Sequence, residues 1–123
     1  MEVKLGMSPI SWTNDDLPEL GGDTSLETCL KETRLAGFSG TELGGKFPNN
    51  PNSLKKVLEA HELKLISGWY SGTLLKNKLN DEKIKLDKML KLFVKVGASV
   101  LVYGETYNTC LLYTSDAADD TCC

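Results

Sequence analysis

One short pattern recurs three times along this chain of 123 residues, in segments 36–44, 60–68 and 96–104. Each copy follows a helix-like stretch, contains a residue at which a helix can end, and closes an apolar run with glycine. Gly37 and Gly97 suit a helix end because glycine adopts the left-handed conformation freely. His61 occupies the same place in the second copy, where a positive φ would be more strained. Helix-then-strand units that repeat in this way predict parallel strands joined by right-handed crossovers.

The stretches between the copies have the apolar periodicity of amphipathic helices. We predict that Thr24 caps the first helix and forms a capping box with Glu27. Asn52 or Ser53 is expected to cap the second helix, and the third is expected to open at residues 80–82. The side chains expected on the buried faces are Leu26, Cys29, Leu30, Thr33 and Ala36; Leu54, Val57, Leu58 and His61; and Ile84, Leu86, Met89, Leu90, Phe93, Val94 and Val96.

The predicted strands cover residues 3–7, 41–43, 63–69 and 100–103. Their alternation with helices excludes all-β folds and helical bundles. Three and a half βα units are too few for a closed (β/α)₈ barrel, which takes about 250 residues. The chain is therefore expected to be either a small open α/β sheet or the first half of a larger fold.

Composition excludes several classes of protein. No apolar run approaches the roughly 18–20 residues of a membrane span, and no signal peptide is recognisable at the N-terminus. The net charge is −3 and the sequence has no basic block, so we expect no nucleic-acid partner. Neither a membrane nor a nucleic acid is thus an expected partner.

The composition changes abruptly at the end of the chain. Residues 110–123 contain three of the four cysteines and no lysine or arginine, and the stretch 110–120 resembles a translated transposase sequencing adapter. We therefore expect residues 1–109 to be the native, N-terminal part of the fold and residues 110–123 to be a non-native, disordered tail. Sequencing the genomic locus past Thr109 tests this hypothesis. A reading frame that continues with other residues is expected, whereas genuine codons for 110–123 would contradict it.

Polar and aromatic residues follow each of the four predicted strands. Because parallel strands end at one edge of a sheet, these side chains are expected to face one cavity. Tryptophan can stack on the apolar face of a sugar-like ring, while carboxylates, amides and lysine bind its hydroxyls. We expect a polyol or sugar-like small molecule to bind there, with Glu42, Lys46 and Glu105 as candidates for catalysis. The predicted substrate-binding residues are Trp12, Asn14, Asp15, Glu42, Lys46, Trp69 and Glu105.

Each of these residues also has a purely structural interpretation. Glu42 could be an interior polar residue paired with Lys46, and Asn14 and Asp15 could cap a turn. Lys46 could be a solvated charge in a loop, the two tryptophans could pack in the core or at the end of the barrel, and Glu105 could cap a following helix.

Four segments resemble the inosose (2-keto-myo-inositol) dehydratase family in order along the chain, namely 5–22, 40–48, 65–72 and 100–106. The most specific stretches are Trp-Thr-Asn-Asp-Asp at 12–16 and Thr-Glu-Leu-Gly-Gly-Lys at 41–46, and Ser11 stands where the family usually has glycine. The resemblance implies a xylose-isomerase-like (β/α)₈ TIM barrel, of which this chain would form about the first three and a half βα units.

The resemblance also implies an activity. The parent would be a cytoplasmic carbon–oxygen lyase that eliminates water from a ketoinositol during myo-inositol breakdown, with Mn²⁺ or Co²⁺ and with glutathione as a helper. The family's metal ligands come from the second half of the barrel, so no metal ligand is expected in this chain and the chain by itself is expected to be inactive. Another sugar isomerase or epimerase of the same superfamily, or a non-catalytic fragment, remains an alternative.

Overall fold

The computed structural model describes residues 1–107, and the predicted tail 110–123 lies outside the described residues. Four parallel strands form one sheet in the order β1-β2-β3-β4. The elements are β1 (Gly6–Met7), a 3₁₀ turn (Pro9–Ser11), α1 (Leu26–Leu35), β2 (Gly40–Leu43), α2 (Pro51–Ala60), β3 (Lys64–Gly72), α3 (Leu79–Val96) and β4 (Val102–Glu105). Parallel strands in chain order, with helices between them, are half of a (β/α)₈ barrel, so the predicted fold class is confirmed.

The strands are displaced from the predicted bounds. β1 is reduced to Gly6–Met7, β3 continues to Gly72, and β4 begins at Val102. Among residues 1–107, no helix combines the length with the apolar character that crossing a bilayer requires.

The first helix is capped by Ser25, and the prediction of Thr24 was wrong. Ser25 is the last residue with extended backbone, and its hydroxyl oxygen accepts the backbone N–H of Thr28 at 3.1 Å. Because the helix starts one residue later than the predicted capping box requires, Glu27 is only two residues after the N-cap and does not form that box. It can still complement the helix dipole there.

The second and third helices, by contrast, begin earlier than predicted. Asn50 caps α2, and its Oδ1 accepts the backbone N–H groups of Asn52 and Ser53, the two residues predicted as caps. Pro51 fills the first helical position, where a missing N–H is harmless. α3 starts at Leu79 without a side-chain cap.

Glycine ends two of the helices as predicted, with a φ of 91° at Gly37 and 89° at Gly97. After α2 the left-handed residue is Glu62, with a φ of 55°, and His61 has an ordinary φ of −106°. The imidazole Nδ1 of His61 donates to the backbone carbonyl of Val57 at 2.8 Å. His61 therefore closes the last turn of α2. The positive φ that was expected at His61 is adopted by Glu62 instead.

The core lies between the helices and one face of the sheet. Its buried members are Leu30, Phe47, Leu54, Leu58, Leu63, Leu65 and Phe93. The stripe predicted for α3 is too wide, because Ile84, Leu90 and Val94 are 65%, 42% and 80% exposed. α3 buries Phe93 against the sheet, and its other apolar flank faces no described element.

A β-bulge changes the phase of β3. Thr41 lies opposite Leu65, but the next residue of β2, Glu42, lies opposite Ser67, so Ile66 is an extra residue. The two residues at a bulge can point to the same side of a sheet. As a result Ser67 lies beside Glu42 on the face away from the helices.

Candidate functional site

A cavity of about 430 Å³ opens at the carboxyl ends of the first three strands. Four of the predicted site residues line it, namely Asn14, Asp15, Glu42 and Trp69. The other lining residues are Ser8, Pro9, Ile10, Thr13, Asp16, Leu43 and Ser71. Its volume and its mixture of polar and apolar walls suit a small polar ligand with apolar surface.

Glu42 projects from β2 into this cavity. It is half-buried, and its Oε1 accepts a hydrogen bond from the Ser67 hydroxyl at 2.7 Å. Within residues 1–107, Oε2 of Glu42 has no hydrogen-bond partner, so this oxygen is available to a ligand. The ion pair with Lys46 that sequence allowed is not formed.

Lys46 holds a loop together. Its Nζ donates to the backbone carbonyls of Gly21, Gly22 and Thr24 at 3.2, 2.9 and 2.5 Å. An ammonium group has three N–H donors, so these carbonyls use them all. Lys46 thus fixes the segment that leads into α1, and it does not line the cavity that contains Glu42.

Asn14 and Asp15 organise the loop after β1. Asn14 Oδ1 accepts the backbone N–H groups of Asp16 and Leu17, both at 2.9 Å, which is the turn-capping role considered from sequence. Asp15 Oδ2 accepts the backbone N–H of Gly45 at 2.8 Å and so ties the first loop to the second. Both residues still reach the cavity wall.

The two tryptophans have different surroundings. Trp12 Nε1 donates to Glu32 on α1 at 2.5 Å, and its ring is not among the groups that line the cavity. Trp69 is 57% exposed, and its Nε1 donates to the Ser71 hydroxyl at 2.9 Å on the cavity side of β3. Trp69 is therefore placed to meet a ligand.

Glu105 stabilises the loop after β3. Its Oε2 accepts the backbone N–H groups of Leu74 and Leu75 at 2.7 and 3.3 Å, and its Oε1 accepts that of Tyr107 at 3.0 Å. Glu105 does not line the cavity. The structure gives it a positioning role.

Glu82, which the sequence did not single out, stabilises the same loop from the other side. This carboxylate of α3 is only 3% exposed. It accepts four hydrogen bonds, from Asn77, from the N–H and the hydroxyl of Thr73, and from the phenol of Tyr103. The bonds from Asn77 and Thr73 hold the pKa of Glu82 below its ordinary value. In sequence it looks like a common acid in a first helical turn.

No group of three or more His, Cys, Asp or Glu side chains comes together within residues 1–107 to hold a metal ion. The two carboxylates of the cavity wall that make hydrogen bonds, Asp15 and Glu42, each engage one oxygen within the protein. The donor set of this part of the chain therefore does not fit a metal ion.

The fold and the cavity together define the class of protein. It is part of a parallel (β/α) barrel with a polar, Trp-walled cavity at the strand ends, where barrels of this kind bind small molecules.

No family model matches the chain. It is 48% identical over 106 residues to the rhizopine catabolism protein MocC of Rhizobium meliloti, a match that covers 86% of this chain and 33% of that protein. It is 43% identical over 103 residues to an inosose dehydratase of Bacillus thuringiensis, covering 84% of this chain and 35% of the relative. The chain is thus a relative of inosose dehydratases, as its motifs indicated, and spans about a third of the length of the curated relatives it matches.

Among the solved structures that match is that of 3-keto-D-glucoside 4-epimerase YcjR from E. coli. Its TM-score is 0.55 at 14% sequence identity, over 81% of this chain and 37% of that one. A likeness at this identity supports the barrel fold.

Proposed function

We propose that this chain supplies the polyol-binding wall of a hydro-lyase that removes water from 2-keto-myo-inositol. The observation that carries the proposal is the Glu42 carboxylate, which faces a Trp-walled cavity with one oxygen unpartnered among residues 1–107. The identity of 43–48% to MocC and to an inosose dehydratase supports the choice of substrate. The partner of the site is thus a cyclic ketone that carries several hydroxyl groups.

The chemistry needs one group to remove a proton next to the ketone and another to assist the departing hydroxyl. Glu42 is the candidate for contact with the substrate, because its free oxygen can accept a hydroxyl hydrogen bond or a proton. Lys46 and Glu105 bind backbone groups of two loops, so we assign them positioning roles. Asn14 and Asp15 are further polar residues that line the cavity.

The resemblance to inosose dehydratases implies Mn²⁺ or Co²⁺ as the metal ion and glutathione as a helper. Such a metal ion would polarise the ketone. Because residues 1–107 do not offer a ligand set for it, we assign no step through a metal to this part of the chain, and we expect the 123-residue chain to show no dehydratase activity. A cytoplasmic location is proposed with the same function, and the free, buried thiol of Cys29 supports it.

Binding tests the proposal directly. Isothermal titration of the 123-residue chain with 2-keto-myo-inositol is expected to show binding, and Glu42→Gln is expected to weaken it about tenfold. Hydrogen bonds to charged groups contribute about 1.5–3 kcal/mol, and the substitution removes the charge while keeping the shape.

Glu59→Gln is the matched control, since Glu59 is exposed on α2 and outside the cavity. It is expected to leave the Kd unchanged. Equal affinities of the parent and of Glu42→Gln for 2-keto-myo-inositol would show that Glu42 does not contact the ligand. If the parent chain does not bind the ketoinositol, the proposed function is refuted. Tighter binding of a ketohexose than of the ketoinositol would favour the isomerase or epimerase alternative.

A further inference from the structure

Two glycines in neighbouring strands each make room for an aromatic ring. A Cβ added at Gly104 in β4 would overlap Cζ2 and Cη2 of Trp69, and one added at Gly72 in β3 would overlap the ring of Tyr103. The two rings lie on opposite faces of the sheet. Trp69 lines the cavity, whereas Tyr103 bonds Glu82 of α3.

The missing side chain at position 104 lets the indole of Trp69 lie directly against the backbone of β4. The hydrogen bond from its Nε1 to the Ser71 hydroxyl at 2.9 Å then fixes how the ring is turned. More than half of the Trp69 surface stays exposed. One side of the ring is therefore supported by β4, and the other is open to the cavity.

We propose that Gly104 is a positioning residue that holds Trp69 as a flat stacking surface for the C–H face of a cyclic polyol. This inference rests on the proposed function and adds a source of selectivity to it. A six-membered ring presents several C–H groups in one plane to an aromatic face, as aromatic walls of ligand sites favour. An acyclic polyol of similar composition has no such fixed plane and binds Trp69 less well.

The test follows the indole N–H signals of the ¹⁵N-labelled 123-residue chain during titration with 2-keto-myo-inositol. Trp69→Phe identifies the signal of Trp69 by its loss. In the parent this signal is expected to move with ligand. Gly104→Ala is expected to move it before ligand is added and to weaken binding about fivefold or more, since the new methyl group displaces the ring.

Gly72→Ala is the matched control, because it makes the same change in the adjacent strand but displaces Tyr103 on the other face. Its Kd is expected to stay within about twofold of the parent's. The preference for the ketoinositol over sorbitol, an acyclic polyol, should fall in Gly104→Ala and persist in Gly72→Ala.

Ser71→Ala adds no volume to the sheet, so it tests the same inference if Gly104→Ala does not fold. It should shift the Trp69 signal and weaken binding, because the indole loses its hydrogen bond. An unchanged Kd in Gly104→Ala, an equal loss in Gly72→Ala, or an unmoved Trp69 signal in Ser71→Ala would overturn the inference while the parent still binds. A parent that binds no ketoinositol would instead refute the proposed function.

Discussion

Leu54→Ala is expected to lower the free energy of unfolding by about 2–5 kcal/mol. Leu54 has no exposed surface and lies in the core with Leu58, Leu65 and Phe93. Its neighbours belong to two helices and a strand and cannot all collapse into the space left behind. Urea unfolding followed by circular dichroism measures the loss.

Leu35→Ala is the control for this change. Leu35 is 76% exposed at the end of α1, so its truncation is expected to alter stability by about 0.5 kcal/mol or less. Similar losses in the two variants would contradict the packing described for α2.

Glu82→Gln is expected to reduce stability strongly near neutral pH and weakly in acid. The carboxylate receives four donors, and a glutamine would turn its NH₂ group towards some of them. The folded pKa of Glu82 lies below its ordinary value of 4.5. Its contribution is therefore fully present above about pH 4.5 and is lost as the pH falls through the folded pKa.

Thermal unfolding between pH 3 and pH 7 measures this dependence. The Tm of Glu82→Gln should lie well below that of the parent at pH 7, and the difference should narrow as the pH falls below 4.5. Exposed Glu59→Gln should follow the parent throughout. Curves for Glu82→Gln and the parent that stay a constant distance apart would show that the charge of Glu82 is not what stabilises the loop.

The order of the helices and strands could be predicted from the sequence because each rests on local periodicity. The repeat at 36–44, 60–68 and 96–104 marks the passage from helix to strand. The caps were harder, since Thr24, Ser25, Asn50, Asn52 and Ser53 all favour a helix start. Which of them takes the position depends on where the preceding chain is held by tertiary contacts.

The roles of the charged residues could be predicted only in part. The positions of Glu42 and Trp69 on the cavity wall could be predicted, because both lie near the carboxyl ends of the predicted strands. Lys46 binds carbonyls more than 20 residues away, and Glu105 binds amides about 30 residues away. Nothing in the residues around Lys46 or Glu105 indicates such partners, because the backbone groups concerned carry no side-chain signature.

The bulge at Ile66 also sets which way the rest of β3 faces. Before it Leu65 points to the helices, and beyond it Gly68 does so, since a Cβ there would meet Phe93. Strict alternation from Leu65 would have sent Trp69 into the helical layer. Deletion of Ile66 would thus remove the bulge and leave Ser67 opposite Glu42, so the side chains beyond it would keep their faces. A residue added or lost in the regular part of β3 would instead exchange the ligand-facing side chains for the packing ones. The bulge is therefore the point along β3 at which the chain can best accept a change in its length.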